Sequence, residues 1–157
     1  MCGMACLKMI LSYKKLPSPP LILLGKLALK DGCYKINHVS KYPATYLDGL
    51  YHYPFVKFLK KEFGLSAKVS QTLVIPEIIR EMDRGHLVIA SVSPQIRSGK
   101  KAPNKGGHLI VVTGYSQKQN CFWINNPSGF YKQSQQDFKV TFNDFSKYFF
   151  NRGVIIN

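Results

Sequence analysis

The chain of 157 residues is 45% hydrophobic and 13% aromatic, enough to bury one good core, and it reads as a single globular domain over 1–157. Its 22 Lys and Arg against 8 Asp and Glu give a formal charge of +14, which attracts anionic partners. The basic residues are nonetheless scattered, no zinc finger, RNA-binding signature or recognition helix is present, and the longest apolar runs, near Leu21–Leu24 and Leu109–Val112, are too short to span a bilayer; nucleic acid and a transmembrane segment are therefore not expected.

The chain opens on Met1-Cys2-Gly3-Met4-Ala5-Cys6-Leu7-Lys8-Met9-Ile10-Leu11. Cys2, Cys6, Met9 and Tyr13 fall on one helical stripe and Leu7, Ile10 and Leu11 on an adjoining one, so the spacing predicts a helix from Cys2, stopped by Pro17, with both stripes buried. Pro17-Ser18-Pro19-Pro20 leads to a second short helix near Leu21–Leu29, ended by Asp31-Gly32. From Cys33 to Tyr53 the chain lacks a period and reads as a packed irregular connection, with His38 and His52 as surface or hydrogen-bonding residues. Pro54 opens an amphipathic helix through Phe55, Phe58, Leu59 and Phe63, closed by Gly64. Leu65–Ser70 alternates as a strand, and Pro76 begins a helix with Ile78, Ile79 and Met82 inward, stopped by Gly85.

Beyond Gly85 the period becomes extended: His86–Ser93, Gly107–Tyr115, Cys121–Asn125 and Val154–Ile156 read as strands, with a helix around Asn143–Phe149. Helices first and strands later is an α+β pattern, a mostly antiparallel sheet packed on the first helix. Between the first two of these strands, Pro94–Gly106 forms a basic loop with Arg97, Lys100, Lys101 and Lys105, which leads directly into His108.

The four cysteines, Cys2, Cys6, Cys33 and Cys121, show no metal-ligand spacing, and two on one helical face make poor disulfide partners; no metal and no cofactor is expected. The opening residues lack a basic region and a small-residue cleavage site, so the chain as given reads as cytoplasmic, or as secreted or membrane-associated if a segment upstream is missing.

Three residues carry chemistry. Cys2 stands at the first turn of a helix, where unpaired N–H groups and the helix dipole favour thiolate over a free thiol of pKa about 8.5. His108 opens a strand behind Gly106-Gly107, which let another backbone approach the imidazole. Asn126, beside a strand-ending Pro127, can turn back across the hairpin to accept the Nδ1 proton of His108 and leave the other nitrogen for Cys2. Taken singly, a helix cysteine is a small core residue and Asn-Pro-Ser-Gly is a turn.

Cys2-Gly3-Met4-Ala5-Cys6-Leu7, then Gly107-His108 with an apolar strand, then Asn126-Pro127-Ser128-Gly129, resembles in order and spacing the bacteriocin-processing (double-glycine leader) cysteine peptidases and their stand-alone relatives in the papain-like superfamily. The resemblance covers essentially the whole chain. It implies a papain-like cysteine peptidase fold, with Cys2 as nucleophile, His108 as general base and acid, Asn126 as orienting residue, and a peptide or protein substrate, possibly acidic given the basic loop. Much of that family has Asp where this chain has Asn126, and a Gln upstream of the nucleophile for the oxyanion hole, where this chain has only Met1. A catalytically impaired peptide-binding or regulatory domain is the alternative on that ground, and a self-processing N-terminal nucleophile is a third, in which loss of Met1 exposes the Cys2 amine.

Overall fold

The computed structural model describes residues 1–38, 45–98 and 106–157, with residues 37, 38 and 45–47 described as backbone alone. Lys100, Lys101 and Lys105 of the expected basic loop lie outside the described residues. The elements in chain order are α1 (Cys2–Tyr13), α2 (Leu21–Lys30), β1 (Ile36–His38), β2 (Thr45–Leu47), α3 (His52–Phe63), β3 (Ala67–Ser70), α4 (Ile75–Asp83), β4 (Leu87–Val92), β5 (His108–Ser116), β6 (Cys121–Asn125), α5 (Lys132–Gln135), β7 (Phe138–Thr141), α6 (Phe142–Tyr148) and β8 (Phe149–Ile156). A 3₁₀ turn, Pro94–Arg97, follows β4.

Six strands form one antiparallel sheet in the order β3-β8-β4-β5-β6-β7, and β1 pairs with β2 apart from it. The fold is therefore α+β, as the alternation of periods predicts. The sheet separates two cores. On one face Met4, Leu7, Ile10 and Leu11 of α1 meet Leu24, Phe55, Phe58 and Leu59, together with Ile89, Leu109, Val111 and Val154 from the strands. On the other, Val88, Ala90, Ile110, Val112 and Phe122 meet Ile78 and Phe145. Strand alternation splits β5 between the two, with Leu109 and Val111 toward α1 and Ile110 and Val112 away. Each fully buried Leu, Ile or Phe contributes about 1.5–3 kcal/mol, so α1 is held by its apolar face rather than by a side-chain N-cap, which it lacks.

Proline and glycine punctuation sets the helix ends. In α3, Gly64 adopts φ +67, Gly64 N–H donates to Lys60 O and Leu65 N–H to Leu59 O, satisfying carbonyls the helix would otherwise leave unpaired. Pro54 sits inside the first turn of that helix, where its missing N–H costs nothing.

Four expectations are corrected. Tyr13 is 74% exposed rather than buried, because the buried arc of α1 centres on Met4, Leu7, Ile10 and Leu11 and the Cys2–Met9–Tyr13 stripe lies at its margin. The connection after Cys33 contains β1 and β2, too short and polar to show a period. β7 is missing from the sequence reading, since Phe138-Lys139-Val140-Thr141 is only four residues long. The last strand runs from Phe149, not Val154; Asn151 at φ +51 and a register shift at Ala90/Val92 carry the polar Asn151-Arg152 pair within a strand that pairs on both sides. Among the described residues no helix is long and apolar enough to cross a membrane.

Candidate active site

Cys2 is the first residue of α1, half-buried, and it lines an open cleft of about 500 Å³ together with Ala5, Arg97, His108, Pro127 and Ser128. Two features of α1 set its place. A Cβ at Gly3 would come 2.7 Å from Leu50 Cδ2 and 2.9 Å from the buried Tyr34 hydroxyl, so only glycine lets the first turn sit this close to the segment before α3. One turn on, the buried Cys6 thiol donates to Leu109 O at 3.4 Å, tying the helix to the strand residue next to His108. Burial pushes the Cys6 thiol well up, and Cys33 is pushed up to about 12, also by burial. Cys6 is thus a core residue, and Cys2 is the one cysteine of four that is not buried.

His108 begins β5 opposite Val92 of β4 and is nearly buried. Gly106 and Gly107 precede it at φ +89 and +93, a conformation L side chains rarely adopt, which aims the chain into the strand. The expectation that these glycines admit a neighbouring backbone is corrected: a Cβ at Gly107 would meet nothing within 4 Å, and one at Gly106 would meet the Arg152 guanidinium. Burial holds the imidazole below its ordinary 6.5, the hydrogen bond to Asn126 acts in the opposite sense, and the Arg97 charge lowers it further.

Asn126 is fully buried one residue past β6. Its N–H donates to Gln135 O at 2.7 Å, and the Gln135 amide returns a bond to Gly129 O at 2.8 Å, closing the loop on α5. Its side-chain oxygen accepts the Ser128 N–H at 3.1 Å, an Asx turn that settles which way the amide faces. The same oxygen lies 2.7 Å from His108 Nε2, so Nε2 carries the proton and donates it. The contact expected at Nδ1 is corrected: it is made by Nε2, and Nδ1 is left as the acceptor.

Ser128 is the residue that sequence reasoning missed. By residue type it is a turn former, yet its N–H orients Asn126 and its Oγ lies 3.1 Å from His108 Nε2. The signal was present: an Asn followed two residues later by an available N–H is the pattern of an Asx turn, which Pro127 between them favours. The other histidines lie elsewhere. His86 Nδ1–H donates to Glu81 at 2.7 Å, His52 lines a separate cavity with Arg152, and the His38 side chain is outside the described residues. Among the described residues no group of His, Cys, Asp or Glu is arranged to hold a metal ion.

Cys2 at the start of α1 and His108 at the start of β5, with Asn126 on its ring, border one cleft on an α+β fold of helices and a six-stranded antiparallel sheet. The chain belongs to the Peptidase_C39 like family, whose profile matches residues 1–154. The crystal structure of a candidate C39-like peptidase from Bacillus anthracis superposes with a TM-score of 0.68 at 17% identity, covering 99% of this chain and 88% of that one. No curated protein matches the chain. Membership of the family supports a function of the cysteine-peptidase type with a peptide or protein substrate.

Proposed function

We propose that the chain hydrolyses a peptide bond by acyl transfer through Cys2, His108 and Asn126. The observation that carries this reading is the locked amide: Ser128 N–H fixes Asn126, Asn126 fixes the Nε2–H tautomer of His108, and the lone pair on Nδ1 remains for a thiol in the same cleft.

In this reading Nδ1 takes the Cys2 proton and the thiolate attacks the scissile carbonyl carbon, forming a tetrahedral oxyanion. The Cys2 N–H, in the first turn of α1 where no helix carbonyl claims it, donates to that oxygen. The imidazolium gives its proton to the departing amine as the C–N bond breaks, leaving a thioester. A water then loses a proton to Nδ1, attacks the thioester, and releases the acid and the thiol. Asn126 accepts from Nε2 throughout, so both forms of the ring keep one orientation.

The test is alkylation followed by turnover. With iodoacetamide at pH 6, mass spectrometry should find the adduct on Cys2 first, because Cys6, Cys33 and Cys121 are buried. A quenched fluorescent peptide library should be cleaved by the wild type and not by Cys2→Ala or His108→Ala, each losing at least a thousandfold. Cleavage that survives Cys2→Ala would overturn the assignment, and faster labelling of Cys33 or Cys121 would remove the argument for the reactive thiol.

A further inference from the structure

Among the described residues lining the cleft, one side chain is a lysine or arginine and none is a carboxylate. Arg97 lines it, carried on the 3₁₀ turn Pro94–Arg97. That turn is anchored: Ser93 Oγ accepts the Gln95 N–H, Ser93 N–H donates to Tyr148 O at 2.8 Å, and Ile96 is buried in the second core. The guanidinium stands over the Phe130 ring, 5.0 Å from its centroid, a platform supplied by the same loop that holds Asn126 and Ser128. Among the described residues Arg97 makes no ion pair.

The sequence places no carboxylate side chain in the segments outside the described residues. Its eight carboxylates are Asp31, Asp48, Glu62, Glu77, Glu81, Asp83, Asp137 and Asp144, none lies in residues 39–44 or 99–105, and none lines the cleft. A half-buried guanidinium stacked on an aromatic ring, with no hydrogen-bond or carboxylate partner among the described residues, is an anion-binding group that a ligand can fill.

We propose that Arg97, stacked on Phe130, is a specificity-determining residue that binds a carboxylate of the substrate close to the bond presented to Cys2, so that this peptidase takes an acidic side chain or a free C-terminal carboxylate there. The proposal rests on the peptidase reading of the cleft. Arg97 does not take part in the chemistry. It places negative charge beside the nucleophile, and the stacked geometry makes the guanidinium a directed donor rather than a diffuse cation.

The experiment compares two probes of nearly equal size, iodoacetate and iodoacetamide, alkylating Cys2 of the full chain at pH 7. In both, the sulfur–carbon bond forms as the carbon–iodine bond breaks and iodide leaves, so the ratio of the two rate constants isolates the probe's carboxylate. Adducts are counted on the Cys2 peptide by mass spectrometry. The iodoacetate-to-iodoacetamide ratio should fall about fivefold in Arg97→Gln, about twofold in Phe130→Leu, which frees the guanidinium from its platform, and not at all in Lys118→Gln, an exposed lysine past the far end of β5. A ratio unchanged in Arg97→Gln, or lowered as much by Lys118→Gln, would overturn the proposal. Failure of the peptidase reading is separately visible, as an absence of peptide cleavage by the wild type, and does not affect the ratio.

Discussion

The site is organised around one oxygen atom. Asn126 Oδ1 receives both Ser128 N–H and His108 Nε2–H, so the tautomer of the histidine is dictated by a backbone amide two residues along the chain from the asparagine. The cost is visible on the other side of the same group: Asn126 Nδ2 is buried with no partner among the described residues, a loss of about 1–3 kcal/mol. Ser128 adds its hydroxyl next to Nε2, and Ser128→Ala should lower kcat/KM about threefold to tenfold with KM little changed, a steady-state measurement that would show no change if the hydroxyl only filled the turn. His108 also leaves a thermodynamic signature. Its folded-state pKa lies below the unfolded 6.5, so between the two values the unfolded chain binds more protons. Stability is undiminished above 6.5 and falls as pH drops below it, and His108→Gln should flatten the decline of melting temperature between pH 7 and 5. His52, also held low by burial, acts in the same sense.

At the scale of elements, the position of Cys2 depends on how closely the first turn of α1 approaches Leu50 and Tyr34. Two effects oppose each other at Gly3. Alanine there gains up to about 1 kcal/mol of helix propensity, but its Cβ would stand 2.7 Å from Leu50 Cδ2 and 3.3 Å from Leu50 Cβ, and overpacking of that kind costs about 1–3 kcal/mol. The steric term wins, because the second of those contacts is near the Leu50 backbone and cannot swing away. Gly3→Ala should therefore lower stability by about 1 kcal/mol, read from urea unfolding, and reduce turnover, since the displaced turn carries the thiol. Equal or greater stability in the variant would show that Leu50 gives way. The docking of α1 on β5 through Cys6 and Leu109 makes the same point in the other direction: helix and strand are joined one residue from the histidine.

For the molecule as a whole, one buried carboxylate holds together elements that the sheet leaves separate. Glu81 of α4 accepts from Lys68 of β3 at 2.8 Å and from His86, ahead of β4, at 2.7 Å, with Arg84 at 3.4 Å. The Lys68 hydrogen bond, then that of His86, hold its carboxyl at about 2 against a usual 4.5, despite a burial that acts the other way. Its contribution is complete above 4.5 and is lost as pH falls from 4.5 toward 2. Glu81→Gln should cost about 2–3 kcal/mol at pH 7, read from urea unfolding, and the difference from the wild type should close as the pH is lowered through that window. A difference that persists at pH 2 would assign the effect to packing instead.

Much of this protein was legible in the residues. Pro54 with Gly64, Pro76 with Gly85, and the shift from a period of 3.6 to a period of 2 after Gly85 are local signals, because backbone dihedral preferences and one-sided burial act over a few residues. They determined the α+β class, the main helices and three central strands. The same locality singled out Cys2, His108 and Asn126 by residue type and neighbours. Elements whose character comes from partners did not show: β7 and the first half of β8, Phe149 to Arg152, are strands because neighbouring strands pair with them, and Glu81 is buried only because Lys68 and His86 converge on it from other elements. The ring nitrogen that Asn126 engages, the part played by Ser128, and the meeting of Arg97 with Phe130 were likewise decided by tertiary structure. Each depends on the direction from which one segment approaches another distant in sequence, and no pattern along a single chain encodes that direction.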